Sequence, residues 1–175
     1  MDRLACCSFP RTASTFLVES LKVAYPKIEI YHIFHKIDVL RKQPNMITIL
    51  RKPEDAIASW LTKIKEEDID GNLDWYNRFA KASIDRFYEI LVLEFDEVVL
   101  DINTSISKCQ DFFGLEKPLY VDDLSIIKRI KLEQPDRYSN NKNVSLIEKI
   151  KESKNYKDSL DYYYQVKSLI DSRKR

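Results

Sequence analysis

Glycine is scarce in this sequence. Only Gly71 and Gly114 occur among 175 residues, so most turns must be built from proline, asparagine and aspartate. The scarcity also excludes a common phosphate-binding motif. No G-x-x-x-x-G-K-S/T stretch is present, so the chain contains no Walker A loop.

Cysteine and histidine are almost as rare. Cys6 and Cys7 are neighbours in an apolar stretch and Cys109 stands alone, which does not make a disulfide framework. This usage is typical of a reducing compartment, and the chain starts without a signal peptide, so we expect a cytoplasmic protein. No cysteine or histidine spacing resembles a zinc site, so we expect no metal.

Charge of one sign and long apolar runs are also lacking. The 29 basic and 28 acidic side chains leave a net charge of +1, which argues against a general polyanion binder, so we expect no nucleic acid partner. Residues 126–175 hold 13 basic and 7 acidic side chains. That excess suits a solvated helical face or a binding surface, and the solvated face is favoured. No apolar run approaches the ~18 residues of a membrane span.

The sequence does contain enough apolar material for one domain over residues 1–175. Hydrophobic residues make up 44% of the chain, and a domain of this size buries roughly 70% of the surface of its unfolded chain. Hydrophobic patterning predicts strands over 4–9, 28–34, 45–50 and 90–95. It predicts helices over 15–24, 37–42, 53–64, 73–88, 104–113, 145–153 and 157–172, with 115–143 mostly irregular.

Strands that alternate with helices predict an α/β fold. Its central sheet is expected to be parallel, with helices on both faces, followed by a helical C-terminal segment. In such sheets, ligands bind in the crevice beyond the carboxyl ends of the strands.

The first candidate site is the segment 8–17. A predicted strand leads into a loop with Arg11 and three hydroxyl side chains, and the loop leads into a predicted helix. Backbone N–H groups, the positive end of a helix dipole and a guanidinium would surround one point, which suits a phosphate or sulfate. A capped helix start with an exposed arginine is the other interpretation, and this segment alone does not separate the two.

The second candidate site is the segment 47–60. Arg51 comes at the end of a predicted strand, and Ser59 lies two turns into the following helix. Because such a helix folds back beside its own strand, both side chains can reach one anion in the crevice. A surface arginine and an unrelated helix-face serine would give the same pattern.

Together, the two segments resemble the sulfotransferases that use 3′-phosphoadenosine 5′-phosphosulfate (PAPS). The family's 5′-phosphosulfate loop reads Pro, Lys/Arg, Ser/Thr, Gly, Ser/Thr, Ser/Thr, Trp/Phe, and residues 10–16 match it except at Ala13. Its 3′-phosphate motif is a strand that ends in arginine, then proline, an acidic residue and serine. The matching residues here are Arg51, Pro53, Asp55 and Ser59.

A third similarity is weaker. The stretch 93–97, followed by a helix that ends in 111–115, looks like the family's "Y-E-D-L … F-L-G" region, with Phe95 where an adenine-contacting tyrosine often lies. The resemblance spans residues 4–115. It implies a P-loop NTPase-like sulfotransferase fold with a nucleotide-binding core over 1–115 and an irregular, then helical, part over 116–175.

The resemblance also implies a function for these residues. The chain would transfer a sulfuryl group from PAPS, without a metal, to a hydroxyl or amine of a small-molecule or carbohydrate acceptor. Arg11 would hold the sulfuryl group and the bridging oxygen, and Arg51 and Ser59 would bind the 3′-phosphate. The residues implied to bind the donor are Arg11, Thr12, Ala13, Ser14, Thr15, Phe16, Arg51, Ser59 and Phe95.

Only His32 and His35 are available as a histidine base. His32 shares a strand face with Ile28 and Ile30, which favours a packed structural role. His35 comes just past the predicted strand end, where the family's base commonly lies. The ordinary histidine pKa of ~6.5 suits proton abstraction near neutral pH, so we assign His35 and Arg11 as the catalytic residues.

The chain departs from the family pattern in three places. Ala13 replaces a glycine, which makes a positive φ harder to reach at that position. The family's C-terminal R-K-G-x-x-G-x-W-K segment has no counterpart, and little chain separates the first helix from the histidine-bearing strand. Two other functions therefore remain open, a nucleotide-binding module without transferase activity and a small P-loop kinase-like enzyme.

Overall fold

Four strands and nine helices make up the described part of the chain. The structure is a computed structural model, and it describes residues 1–133 and 143–173. The strands are β1 Arg3–Cys6, β2 Glu29–His32, β3 Met46–Leu50 and β4 Leu91–Glu94. The helices are α1 Ser14–Ala24, α2 Ile37–Lys42, α3 Pro53–Ile64, α4 Ile69–Asp85, α5 Phe95–Leu100, α6 Ile102–Phe113, α7 Asp123–Glu133, α8 Val144–Glu152 and α9 Tyr156–Arg173.

The strands form a parallel sheet in the order β2-β1-β3-β4. In the registers, Cys6 lies opposite His32 and Leu50 opposite Glu94, which brings the carboxyl ends of the strands to one edge. All five residues of β3 are buried, as expected for a parallel strand that is covered on both faces. The predicted α/β fold with a parallel sheet between helices and a helical C-terminal segment is confirmed.

The two faces of the sheet have separate cores. Ile47 and Ile49 pack on the face covered by α1, α6 and α7, whereas Met46 and Leu50 pack on the face covered by α3, α4 and α9. Alternate residues of one strand therefore supply both cores. The last helix, α9, belongs to the second core, because its residues Tyr163, Val166 and Ile170 are buried there.

The prediction that residues 115–143 are mostly irregular is wrong for α7, while 134–142 lie outside the described residues. The two prolines at 118 and 135 suggested irregular structure, but neither falls within α7. Ile126 and Ile130 lie one turn apart on this helix and are each 3% exposed, packed in the core that contains α1. A spacing of four between apolar residues favours a helix, but the prediction gave more weight to the two prolines.

Helix α4 begins at Ile69, earlier than the predicted start at residue 73, so Gly71 and Asn72 lie inside the helix. The side chain of Asp68 caps the helix and accepts a hydrogen bond of 2.9 Å from the Gly71 N–H. A Cβ on Gly71 would lie 2.1 Å from Asp68 Oδ2. Glycine therefore lets the capping carboxylate approach the helix, and here it belongs to a helix start.

Three strands end earlier than predicted at the edge where the site lies, and the first of them, β1, ends at Cys6. Strand β2 ends at His32, and β4 ends at Glu94, so Phe95 begins the short helix α5, which was not predicted. At the far end of α6, the predicted stop before Gly114 is confirmed. Gly114 has φ +62° and caps the helix in the left-handed conformation.

Candidate functional site

A cleft of about 980 Å³ opens at the carboxyl ends of the strands. This volume is in the range of pockets that hold cofactors and drug-sized ligands. The ten residues predicted for the site all line it: Arg11, Thr12, Ala13, Ser14, Thr15, Phe16, His35, Arg51, Ser59 and Phe95. Residues of α7, α8 and α9 complete the walls, so the C-terminal helices contribute to the same cleft.

The loop between β1 and α1 has an alternating backbone conformation. Arg11 and Ala13 each have φ +63°, whereas Thr12 between them does not lie in the left-handed region. Alternation of this kind turns successive N–H groups toward one point, a concavity that binds anions. The Thr12 hydroxyl is fully buried and donates to the Phe9 carbonyl at 2.8 Å. Its side chain therefore holds the loop in shape, and its backbone faces the cleft.

Helix α1 starts at this loop without a capping side chain. Its N-cap is Ala13, whose side chain has no hydrogen-bonding atom, and no acidic residue lies in the first turn. The first N–H groups of a helix have no carbonyl partner within the helix, and the helix dipole adds partial positive charge there. The start of α1 thus favours a bound anion.

His32 lies on the cleft and is half-buried, and its expected structural role stays a prediction. Its Nε2 is 2.9 Å from the hydroxyl of Ser14, and its ring lines the cleft. The alternation of β2 was interpreted correctly, because Ile30 on the same face is buried against α1. His32, however, is the last residue of the strand and meets the first residue of α1. Sequence periodicity does not show which helix residue faces a strand end.

The two candidate segments contact each other directly. Arg11 Nε donates to the Ser59 hydroxyl at 3.0 Å, and Arg51 Nη1 donates to the Arg11 carbonyl at 2.6 Å. Arg11 and Ser59 were expected at opposite ends of a ligand. The structure instead brings both segments to one point, through residues 40 to 48 positions apart.

Arg51 is held from several sides. Its guanidinium lies over the Phe95 ring, 4.2 Å from the centroid, and its carbonyl accepts a 2.7 Å hydrogen bond from the Tyr76 hydroxyl. Burial lowers the pKa of Arg51, and the positive charge of Arg11 lowers it further. The carboxylates of Asp55 and Asp96 oppose this shift. Arginine stays protonated despite such a shift, so Arg51 is a fixed and partly desolvated cation.

His35 is oriented by the backbone. Its Nδ1 lies 2.6 Å from the Ser8 carbonyl. Because a carbonyl only accepts, Nδ1 carries the proton in this contact, and the lone pair of the neutral ring is on Nε2. The residue has φ +52°, an uncommon backbone conformation for a residue other than glycine. The ring lies 6.2 Å from that of Trp60 and 6.1 Å from that of Trp75.

Sequence reasoning missed several other cleft residues. Glu94 ends β4, and its Oε2 accepts a 2.5 Å hydrogen bond from Lys167 Nζ of α9. Tyr163 of α9 is buried and also lines the cleft, whereas its neighbour Tyr164 is 54% exposed. Trp60 of α3 lies half-buried on the cleft wall. Only Glu94 had a sequence signal, its place at a predicted strand end.

In the described ranges 1–133 and 143–173, no helix is long and apolar enough to cross a bilayer. Across the same residues, no group of three or more histidine, cysteine or acidic side chains is arranged to hold a metal ion.

Comparison with known proteins identifies a solved structure of similar fold and no sequence relative. No protein-family model matches the chain, and no curated protein sequence matches it. Among solved structures, the chain is similar to the mouse sulfotransferase SULT7A1 complexed with PAP. The sequence identity is 14% and the TM-score 0.48, over 82% of this chain and 69% of that chain.

Proposed function

We propose that this chain transfers a sulfuryl group from PAPS to a hydroxyl or amine of a small-molecule or carbohydrate acceptor. The observation that supports this function is the meeting of Arg11, Arg51 and an uncapped helix start in one cleft beside a histidine. PAPS carries an anion at each end, so its binding requires positive groups from more than one wall.

The phosphosulfate would bind at the β1–α1 loop. Its oxygens would accept hydrogen bonds from the N–H groups that Arg11, Thr12 and Ala13 turn to one point, and from the start of α1. The Arg11 guanidinium would neutralise the sulfuryl group and the bridging oxygen, where charge builds up during transfer.

The 3′-phosphate would bind between Arg51 and Ser59. In the structure, the Arg51 side chain donates to the Arg11 carbonyl, and the Arg11 side chain donates to the Ser59 hydroxyl. Donor binding would exchange the Arg11–Ser59 hydrogen bond for bonds from each residue to its own anion. Phe95, already stacked on Arg51, would present its ring edge and remaining surface to the adenine.

In the transfer, the acceptor oxygen or nitrogen attacks sulfur in line with the bridging oxygen. The new bond to sulfur forms as the bond from sulfur to the bridging oxygen breaks, and 3′-phosphoadenosine 5′-phosphate (PAP) leaves. His35 takes the acceptor proton at Nε2 while its Nδ1–H stays on the Ser8 carbonyl. As in phosphoryl transfer, positioning and positive charge supply most of the catalysis.

The cysteines support the cytoplasmic setting and take no part in this chemistry. All three are buried and unpaired with each other. Burial raises the pKa of Cys6 to about 12 and that of Cys7 to about 11. Neither side chain is a thiolate at neutral pH, and the thiolate is the reactive form.

Calorimetric titration with PAP, AMP and ATP, without magnesium, tests the donor site. We expect PAP to bind more tightly than AMP, because only PAP carries the 3′-phosphate. Arg51→Ala should weaken PAP binding by roughly ten- to a hundredfold, the value of a charge-assisted hydrogen bond. Arg78→Ala, at an exposed arginine of α4, is the matched control. Equal binding of PAP and AMP, or binding that requires magnesium, would contradict the proposal.

The transfer step needs a separate test. His35→Gln should leave PAP affinity unchanged and lower the rate of sulfate transfer from PAPS by about 10² or more, the usual size of a general-base effect. Binding of PAP by the natural chain, with no transfer to any member of a broad acceptor panel, would favour the nucleotide-binding module instead.

A further inference from the structure

Tyr76 of α4 contacts the main chain of Arg51 from the core side. The residue is 3% exposed, and its hydroxyl donates to the Arg51 carbonyl at 2.7 Å. That carbonyl lies between the end of β3 at Leu50 and the N-cap of α3 at Lys52. A carbonyl that is withdrawn from water needs a hydrogen-bond partner, and Tyr76 supplies it. The main chain that carries the Arg51 guanidinium is therefore attached to α4.

The same side chain also contacts the segment that leads into the loop between β1 and α1. The ring of Tyr76 packs edge-on against the ring of Phe9, with 5.4 Å between the centroids. The Phe9 carbonyl in turn accepts the 2.8 Å hydrogen bond from the Thr12 hydroxyl, which holds the loop in shape. One buried side chain thus touches both segments that would bind the anions of the donor.

The surrounding core leaves Tyr76 little freedom to move. Phe9 is in contact with two further rings of α4, those of Trp75 at 5.1 Å and Phe79 at 6.1 Å between centroids. Phe9, Tyr76 and Phe79 are buried members of one core, and Trp75 packs against it. Close-packed interiors transmit displacements because they compress very little. A shift of Tyr76 would therefore be passed on to both segments.

The Tyr76 hydroxyl keeps its proton over the ordinary pH range. Burial raises the pKa of Tyr76 well above its usual value, and the neighbouring groups of Tyr163, Glu54 and Tyr156 raise it further. A protonated phenol can donate to a carbonyl, whereas a phenolate cannot. The bond to the Arg51 carbonyl is therefore a permanent part of the folded structure.

We propose that Tyr76 is a positioning residue that fixes the distance between the 5′ and 3′ anion positions of the donor site. Its hydroxyl places the main chain of Arg51, and its ring places Phe9 and the loop that follows. A ligand with one anion uses one segment and does not depend on this distance. A ligand with an anion at each end must meet both segments at once. This inference rests on the proposed function, because it adds a residue to the proposed PAPS site.

Tyr76→Phe tests this role, because it removes the hydroxyl and keeps the ring on Phe9. Calorimetry without magnesium should show an unchanged affinity for AMP and an affinity for PAP that is about tenfold weaker. In the transfer assay, the KM for PAPS should rise about tenfold while kcat stays unchanged, because the 3′-phosphate takes no part in bond breaking.

Tyr25→Phe is the matched control. It removes another buried tyrosine hydroxyl that donates to a carbonyl, that of Ile106 at 3.4 Å. Because Tyr25 belongs to the core on the other face of the sheet, this variant should keep the natural ratio of PAP to AMP affinity even where it is less stable. Both variants are titrated at a temperature at which circular dichroism shows that they are folded.

A measurement without ligand separates this inference from the assignment of the donor. The Arg51 Nε–H group gives a nitrogen-15 signal, which Arg51→Lys identifies by its absence. We expect a high heteronuclear NOE for this signal, typical of a rigid side chain, in the natural chain and in Tyr25→Phe. The NOE should be lower in Tyr76→Phe, because the guanidinium then extends from a main chain that has lost its attachment.

An unchanged ratio of PAP to AMP affinity in Tyr76→Phe, or an equal drop in Tyr25→Phe, would overturn the positioning role. An Arg51 signal that is equally rigid in all three proteins would also overturn it. A mobile Arg51 side chain in the natural chain would do so whether or not the variant folds. If the natural chain binds PAP no better than AMP, the proposed donor is contradicted, and the Arg51 signal alone decides whether Tyr76 places this residue.

Discussion

Ala13 combines a strained backbone with a key position in the loop between β1 and α1. Its φ of +63° and ψ of 18° place it in the left-handed region, which costs a residue with a Cβ roughly 1–2 kcal/mol. The conformation directs the N–H groups of the loop and starts α1. The chain thus keeps the backbone geometry of a glycine with an alanine.

Relief of this strain should be measurable. Ala13→Gly should raise the free energy of unfolding by about 0.5–1 kcal/mol, because the relief exceeds the added entropy of the unfolded chain. Ala80→Gly, within α4, should lower it by about 1 kcal/mol and serves as the control. Urea denaturation measures both. Destabilisation by Ala13→Gly would show that the alanine methyl stabilises the loop.

His35 allows a second prediction at this scale. The 2.6 Å contact from its Nδ1 to the Ser8 carbonyl requires a proton on Nδ1, so the neutral ring should be the Nδ1–H tautomer. Nitrogen-15 chemical shifts of the two ring nitrogens distinguish the tautomers, and His35→Gln assigns the signals. A predominant Nε2–H form would contradict donation from Nδ1 to the Ser8 carbonyl.

At the scale of elements, the carboxyl end of β4 is tied to the last helix of the described chain. Glu94 ends the strand, and Lys167 of α9 donates to it at 2.5 Å. The hydrogen bond to Glu94 raises the pKa of Lys167, while burial opposes the shift. A lysine whose pKa is raised on folding stabilises the protein most below its unfolded pKa of ~10.4. That contribution is lost as the pH rises through the raised folded value.

Comparison of variants isolates this pair. Lys167→Met and Glu94→Gln should each lower the free energy of unfolding at pH 7, and the double variant should show a coupling of about 0.5–1 kcal/mol. The coupling should fade as the pH rises above the unfolded lysine pKa of ~10.4 and through the raised folded value, because Lys167 then loses its proton. Urea denaturation of the four proteins at pH 7 and again at high pH measures this coupling. A coupling that persists unchanged at high pH would contradict the ion pair.

Elements and their order could be predicted from the sequence, because each depends on local patterns. Strand β3 is apolar except for Thr48, and α3 begins with proline and two acids. The helix α7 was missed because its two buried isoleucines carry a weaker signal than the flanking prolines. The start of α4 was predicted too late because it depends on the capping side chain of Asp68, and sequence spacing does not show that contact.

The residues that line the site could be predicted from the sequence, but the contacts between them were harder to predict. Arg11, Arg51 and His35 each follow a predicted strand, and parallel strands bring such residues to one edge. The Arg11–Ser59 hydrogen bond depends on how far a long side chain reaches across the cleft. The position of His32 depends on where α1 starts relative to the end of β2. Both are properties of the packed structure, which no single segment determines.

For the whole molecule, the end of α9 links parts of the chain that lie on both sides of the sheet. The Arg173 guanidinium lies over the rings of Phe87 and Phe112, at 4.0 and 4.9 Å from their centroids. It also donates to the carbonyls of Phe87 and Ile90. Phe87 and Ile90 belong to the core of α4 and α9, whereas Phe112 packs with the core of α1 and α6. One side chain therefore contacts both cores.

The planar geometry of Arg173 should matter as much as its charge. Arg173→Ala should lower the free energy of unfolding by about 1–3 kcal/mol, because two carbonyls lose their donor and two rings lose a stacked cation. Arg173→Lys keeps the charge, but it cannot stack as a plane or donate as a fork, so it should recover less than half of the loss. Urea denaturation, with Arg78→Ala as the control, measures these values. If lysine restores full stability, charge alone holds the end of α9, and the link between the two cores does not depend on the guanidinium plane.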